Sequence, residues 1–324
     1  MNLLSFIKRC GLCIVCTLVV FTCIAPFSAN SYAVRQTPDA APDLAVTEAE
    51  GTISDEGLKP SQSVEPTVRS AQAGWPVSVW HNGQEMPLAV KTLLKDGTTF
   101  VSITDFCRVM NCERVWENGG FTATRGDELY IRCEPGNFYL IANDRVLNMG
   151  KSCFITAGEL MIPIRTMATI FDMSLQWNGR ERRVYLEGSG LLKSGDDFYN
   201  EKDLYWLSRI INAEARGESL IGQLAVGSVV LNRVKSKEYP NTIYGVIFDR
   251  KNGVQFTPIK DGSIYLKPYD ICVLAAKLCL EGVVDYSNGA IYFISEKVTS
   301  CYAMSHCEKV ATIGGHRFYG EEIK

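Results

Sequence analysis

Apolar and polar positions alternate in short runs from Trp75 to about Gly190, the period-two pattern of strands that bury one face. Within that stretch two segments resemble each other at an offset of 61 residues. Phe100-Val101-Ser102-Ile103-Thr104-Asp105-Phe106-Cys107 leads to Trp116, and Met161-Ile162-Pro163-Ile164-Arg165-Thr166-Met167-Ala168 leads to Trp177. Each predicts a strand, a short amphipathic helix and a further strand beginning near the tryptophan. Turn-forming residues follow both, as Glu117-Asn118-Gly119-Gly120 and Asn178-Gly179-Arg180. The expectation is a duplicated small α+β domain over residues 75–190.

After a glycine-containing linker at 191–201 the period lengthens to that of helices, and a mainly helical domain is expected over 202–324. From Glu201 to Ala215 the apolar residues Leu204, Leu207, Ile210 and Ile211 recur at helical spacing, with Asn200 or an adjacent Asp as N-cap. Gly217 breaks that helix, and Ser219 opens a second one that runs to about Lys235. Tyr239-Pro240-Asn241-Thr242 forms a turn, and a short helical or extended stretch follows from Ile243 to Phe248. A further helix is predicted from about Tyr269 to Glu281, and Tyr292-Phe293 reads as a buried strand.

The N-terminal region has a different character. Lys8 and Arg9 precede an apolar run from Ile14 to Phe27, and Ser31-Tyr32-Ala33 presents small residues where a signal peptidase reads. Residues 1–33 are therefore expected to be a signal peptide cleaved after Ala33, leaving no stable membrane insertion; an uncleaved anchor is the alternative. The run is interrupted by Pro26 and is short beside the roughly 20 residues of a spanning helix. Residues 34–74, rich in Pro, Ala, Ser, Thr and acids, are expected to be a disordered linker.

Composition narrows the chemistry. At 324 residues, with 46% hydrophobic and 21% charged residues, the chain suits two globular domains. A net charge of -3 carries no polybasic signature, which argues against nucleic acid as partner. Of the 12 cysteines, Cys10, Cys13, Cys16 and Cys23 fall in the expected signal, and the rest include no Cys-x-x-Cys pair. Cys272 and Cys279 fall on one helix face as core residues, and Cys301 with Cys307 could staple a surface loop. With three scattered histidines, no metal site is expected, and without a nucleotide loop or nucleophile motif no cofactor is expected.

The segment Asn212-Ala213-Glu214-Ala215-Arg216-Gly217-Glu218 is the most informative for chemistry. It places a carboxylate at the end of a largely apolar helix. Partial desolvation there would raise the pKa of Glu214 towards neutrality, as a general acid requires; taken alone, the segment reads more readily as solvated surface charge. Glu218 is the candidate for a second carboxylate, although Gly217 argues against a continuous helical face and favours a structural or substrate-positioning role. Arg216 could pair with either acid or be plain surface charge.

Further blocks follow in order: Gly222-Gln223, Ala225-Val226-Gly227, Leu231-Asn232-Arg233-Val234, Gly245-Val246-Ile247, Gln255-Phe256-Thr257 and Gly315-His316-Arg317-Phe318-Tyr319. Together they resemble the cell-wall hydrolase family that includes the SleB-like spore cortex-lytic enzymes, over about residues 203–320. The resemblance implies an α+β fold with a lysozyme-like, mainly helical catalytic domain. It implies peptidoglycan glycan strands as partner, in the wall or spore envelope of a Gram-positive bacterium. Carried over, Glu214 is the acid/base of a lytic transglycosylase acting between N-acetylmuramic acid and N-acetylglucosamine. Gln255, Phe256, Glu218, Tyr292 and His316 are the candidate substrate-binding residues. Amides bond hydroxyl and acetamido groups and rings stack on sugars, whereas His316 reads more readily as a packing or capping residue and Phe256 equally as core. Asn232 and Arg233 are expected to stabilise the fold.

Residues 76–188 resemble the copper amine oxidase N-terminal-like domain through the Ile-Pro-Ile-Arg core and the paired tryptophans. Its single histidine, His81, does not make a copper site, and the domain is expected to bind wall or act as a spacer. A catalytically silent wall-binding or spore-coat protein is the alternative function.

Overall fold

The computed structural model describes residues 77–251, 255–282 and 284–322. The expected signal peptide and first linker lie outside the described residues. Among the described residues no helix is long and apolar enough to cross a membrane.

The first part comprises β1 (Ser78–His81), β2 (Gln84–Glu85), β3 (Leu93–Lys95), β4 (Thr98–Ser102), α1 (Ile103–Val109), β5 (Glu113–Glu117), β6 (Gly120–Arg125) and β7 (Leu129–Cys133). It continues with β8 (Tyr139–Ala142), β9 (Arg145–Asn148), β10 (Phe154–Thr156), β11 (Glu159–Pro163), α2 (Ile164–Ile170), β12 (Ser174–Asn178) and β13 (Arg183–Glu187). The series β4-α1-β5 starts at 98, 103 and 113, and β11-α2-β12 starts at 159, 164 and 174 in the same order. β4 and β11 pair antiparallel, which brings the two series together in one sheet of order β10-β11-β4-β3. Two further sheets run β12-β13-β1-β2 and β5-β6-β7-β8-β9, and the β1–β13 pair is parallel. Ser102 caps α1 by accepting from the Asp105 amide at 3.0 Å. The first helices meet through Phe106 and Phe171, whose rings stack at 5.9 Å. His81 Nε2 lies 2.7 Å from the Gly188 carbonyl oxygen, a local backbone bond.

The second part is mixed, with helices first and a sheet last. It comprises α3 (Gly195–Phe198), α4 (Glu201–Ala215), α5 (Leu220–Lys235), α6 (Ile243–Ile247), α7 (Pro258–Asp261), a 3-10 turn (Ser263–Tyr265) and α8 (Asp270–Leu280). Then follow β14 (Tyr292–Ser295), α9 (Tyr302–His306), β15 (Cys307–Ile313) and β16 (His316–Glu322), the strands pairing in the order β14-β16-β15. Asn200 and Ser219 supply the caps of α4 and α5 through bonds from the Asp203 and Gly222 amides. Helices α4, α5 and α8 pack on one another around Leu207, Ile211, Leu224, Cys272 and Ala276. Gly227 makes this approach possible: a Cβ there would fall 2.6 Å from Cys279 Sγ and 2.9 Å from Ile211 Cδ1.

The linker segment 191–201 is bonded to both parts of the fold. Leu192 donates its amide to the Ile170 carbonyl at 3.0 Å, and Gly195 donates to Asn143 at 2.7 Å. The buried Tyr199 hydroxyl accepts from the Val146 amide at 3.0 Å and donates to Glu281 Oε1 at 2.8 Å. Arg145 on β9 reaches the end of α8 with two parallel bonds, Nε to Glu281 Oε1 at 3.0 Å and Nη2 to Oε2 at 2.7 Å. Val146 belongs to the helical core, so the strand domain and the helical domain share buried surface.

All eight cysteines described are free thiols, including Cys301 and Cys307, and Cys272 and Cys279 are core residues of the helical part. The nearest approach recorded is elsewhere: Cys133 on β7 and Cys153 bring their Sγ atoms to 3.7 Å, both buried.

Two outcomes are expected. Glu281→Ala removes one partner of an ion pair whose side chains are only 11% and 5% exposed, stranding Arg145 at a cost of about 3–5 kcal/mol, measurable as a lower denaturant midpoint. Mild oxidation with a small disulfide reagent links Cys133 to Cys153 ahead of Cys301 to Cys307, as read by peptide mapping after alkylation.

Candidate active site

Helix α4 delivers Glu214 to the site. Its inward face, Leu207, Ile210 and Ile211, is fully buried, which fixes the rotation of the helix. Asn212 is also buried and accepts from the Tyr269 amide at 3.0 Å, tying the last turn of α4 to the start of α8. Glu214 then sits half-buried between Ala213 and the buried Ala215, at the edge of the core. Burial first, and the neighbouring charge of Asp261 second, push its carboxyl from an ordinary 4.5 up to about 7. Both causes act against the ionised form, so near neutrality Glu214 holds its proton about half of the time.

Asp261 was not apparent from the sequence as a participant. It closes α7, and its Oδ1 accepts from the Ser263 amide at 2.9 Å. The Ser263 hydroxyl and backbone amide together hold its carboxyl below the ordinary range. The two acids therefore diverge, one shifted towards its neutral form by desolvation and the other held towards its charged form by hydrogen bonds. The only local signal for Asp261 is the Asp261-Gly262-Ser263 turn, in which Gly262 adopts a φ of 80°.

Glu218 has turned away from a shared helical face. α4 ends at Ala215, and the Glu218 amide bonds back to the Ala215 carbonyl at 3.0 Å. Its side chain crosses to the turn between β15 and β16, where Oε2 accepts from the Gly315 amide at 3.0 Å. Gly314, at a φ of 55°, would place a Cβ 1.9 Å from that oxygen, so only glycine fits. Glu218 thus anchors the hairpin that carries His316. His316 is 9% exposed and packs edge-on against Phe293 at 5.5 Å. Its Nδ1 is 3.7 Å from Glu218 Oε1, an ion-pair distance for a protonated ring but too long for a hydrogen bond.

The remaining candidates separate by burial. Phe256 is 2% exposed and lies in the core beside Phe293, so its ring has no free face for a sugar. Gln255, next to it, is half-buried. Tyr292 is half-buried on β14, and the Arg233 guanidinium stands over its ring at 5.5 Å. Arg233 is itself buried, faces Tyr239 and Phe256 as well, and donates to the Ile291 carbonyl at 2.6 Å; burial lowers its pKa. Asn232 reaches Asp285 Oδ2, Ser287 Oγ and the Ala290 carbonyl at 3.0–3.1 Å. Both residues bind the end of α5 to the chain entering β14. Arg216 caps α4 and is exposed. Among the described residues no group of three or more His, Cys, Asp or Glu side chains is arranged to hold a metal ion.

A helical domain offering one half-buried glutamic acid beside an ionised aspartate, with a hairpin hooked onto it, is a carboxylate-centred site. Residues 217–319 match the Cell Wall Hydrolase family, and residues 80–186 match the Copper amine oxidase N-terminal domain. The chain thus carries a cell wall hydrolase domain at its C-terminal end, preceded by a copper amine oxidase N-terminal-like domain. Among characterised relatives, it is 35% identical over 120 residues to a spore cortex-lytic enzyme of Bacillus cereus, covering 37% of this chain and 45% of that protein. It is 36% identical over 121 residues to the spore cortex-lytic enzyme of Halalkalibacterium halodurans, covering 37% and 35%. The chain therefore spans less than half the length of these relatives. Among solved structures, the catalytic domain of the Bacillus cereus SleB protein aligns at 33% identity, covering 37% of this chain and 91% of that one, with a TM-score of 0.34.

The raised pKa of Glu214 has a signature independent of activity. Between about pH 4.5 and 7 the unfolded chain releases this proton while the folded protein retains it, so stability falls as pH rises through that window. Glu214→Gln is expected to remove this slope and to stabilise the protein above pH 7 by up to about 3 kcal/mol, read from thermal melts across pH. Asp261→Asn is expected to move the upper end of the window to lower pH, because the repelling charge is gone.

Proposed function

We propose that this protein cleaves peptidoglycan glycan strands as a lytic transglycosylase, between N-acetylmuramic acid and N-acetylglucosamine, with Glu214 as acid and base. The observation that carries the reading is the half-buried carboxyl of Glu214, raised to about 7 and lying three residues before the stretch that matches the Cell Wall Hydrolase family, 217–319. Relatives named as spore cortex-lytic enzymes support the substrate class.

In the proposed reaction the protonated Glu214 gives its proton to the bridging oxygen as the bond to C1 of the muramoyl sugar breaks. The carboxylate so formed takes the proton of that sugar's C6 hydroxyl while the C6 oxygen bonds to C1. A 1,6-anhydro ring results, and Glu214 is again protonated. Because the nucleophile belongs to the substrate, one carboxylate suffices. Asp261 supplies a fixed negative charge that favours the protonated Glu214 and the cationic character of the sugar in the transition state. The same Asp261 supports a second reading, in which it activates a water molecule and the enzyme is a hydrolytic muramidase. Glu218 and His316 hold the hairpin in place at the site, and Tyr292 and Gln255 remain the proposed sugar contacts.

Mass spectrometry of fragments released from purified sacculi and spore cortex decides between these readings. Anhydro-muramoyl ends are expected, with Glu214→Gln slower by roughly 10²–10⁴-fold. Reducing muramic acid ends would establish hydrolysis, and no release from either substrate would leave a silent wall-binding protein.

A further inference from the structure

Trp206 on α4 is the hub of an aromatic cluster that the chemistry at Glu214 does not use. Its ring centroid lies 4.9 Å from Tyr205, 5.5 Å from Tyr244, 4.9 Å from Phe248 and 6.2 Å from Tyr265, each edge to face. Helix α4, helix α6 with its C-cap, and the 3-10 turn after α7 thus converge on one indole. The rings are not sealed inside: Tyr205 and Tyr244 are exposed, and Tyr265 is 61% exposed. An exposed group of aromatic rings marks a surface fit to meet a ligand.

Its place relative to Glu214 says which ligand. Trp206 and Glu214 are eight residues apart on α4, about 80° apart around the helix and about 12 Å apart along its axis, on either side of the buried Ile210. A second connection runs alongside. It starts at Asp261, whose charge acts on Glu214, and ends at Tyr265, whose ring packs on Trp206. The acid pair and the aromatic hub are therefore joined twice, along α4 and along residues 261–265, at a separation of a few sugar rings. Cations stand at its rim: Lys202 Nζ lies 4.9 Å from the Tyr244 ring, and the Arg209 guanidinium 3.7 Å from the Tyr205 ring.

We infer that the Trp206 cluster is a docking platform for the glycan strand as it runs on from the bond cleaved at Glu214. Aromatic faces accept the C–H faces of pyranose rings, and the rim cations meet the carboxylates of the stem peptides. The inference rests on the peptidoglycan reading of the Glu214 site.

The test uses the full chain carrying Glu214→Gln, titrated calorimetrically with soluble, uncross-linked peptidoglycan strands. Adding Tyr244→Ala and Tyr265→Ala is expected to weaken binding about tenfold, about 1.4 kcal/mol. Tyr244→Phe with Tyr265→Phe, which keeps both faces and both ring packings, is expected to retain the affinity. Unchanged binding by the alanine variant overturns the platform, and equal loss in the phenylalanine variant overturns stacking as its basis. Fragment release by the unsubstituted chain separates the two proposals. If it releases nothing while the alanine variant still binds more weakly, the cleavage reading fails and the platform stands; release with unchanged binding means the reverse.

Discussion

Helices α4 and α8 close on α5 because Gly227 has no side chain to hold them apart, and the rest of the site depends on that approach. A methyl group at that position would meet both Cys279 and Ile211 at less than 3 Å. With the three helices in contact, Leu207, Ile210 and Ile211 must point inward, and the 3.6-residue repeat then leaves Glu214 at the boundary between core and solvent. A carboxylate there loses part of its hydration without gaining a cation. Its raised pKa follows first from this burial and second from the charge of Asp261.

The acids around the site illustrate three solutions to placing a carboxylate near a core. Glu214 is desolvated and shifted towards its neutral form. Asp261 is kept ionised by the backbone and hydroxyl of Ser263. Glu218 spends its charge on a backbone amide and so fastens a hairpin to the helix end. Sequence proximity links Glu214 with Glu218, yet the charge that bears on Glu214 comes from Asp261, across the fold. The carboxyls of Glu214 and Asp261 are thus shifted in opposite directions, one up and one down.

The strand domain and the helical domain are joined by more than chain continuity. The Arg145–Glu281 pair sits between β9 and the end of α8, with Tyr199 from the intervening segment satisfying a carboxylate oxygen and the Val146 amide at once. Lys277 adds a bond to the Asp144 carbonyl at 2.9 Å, and Asn148 donates to the Tyr286 hydroxyl at 2.9 Å. A buried, fully bonded network of this kind fixes orientation more than it adds stability, since the desolvation of both charges offsets most of their attraction. The helical domain is consequently held at a set angle to the strand domain over this contact.

The sequence by itself determined the local elements and singled out Glu214 as the candidate acid. Periodicity set α4, α5 and α8 and their caps Asn200 and Ser219, because these depend on neighbours within a turn or two. The strand-helix-strand series, starting at 98 and again at 159, was legible for the same reason. Glu214 stood out because its place at the end of an apolar helix is a local fact. Tertiary structure alone decided the rest: that Asp261 faces Glu214 across 47 positions of sequence, that Glu218 bonds Gly315, that Phe256 is core, and that Cys133 meets Cys153. It also decided that 191–201 is pinned and that Trp206 gathers rings from three elements. Those relations are set by how closely helices and sheets can approach, which no run of neighbouring residues specifies.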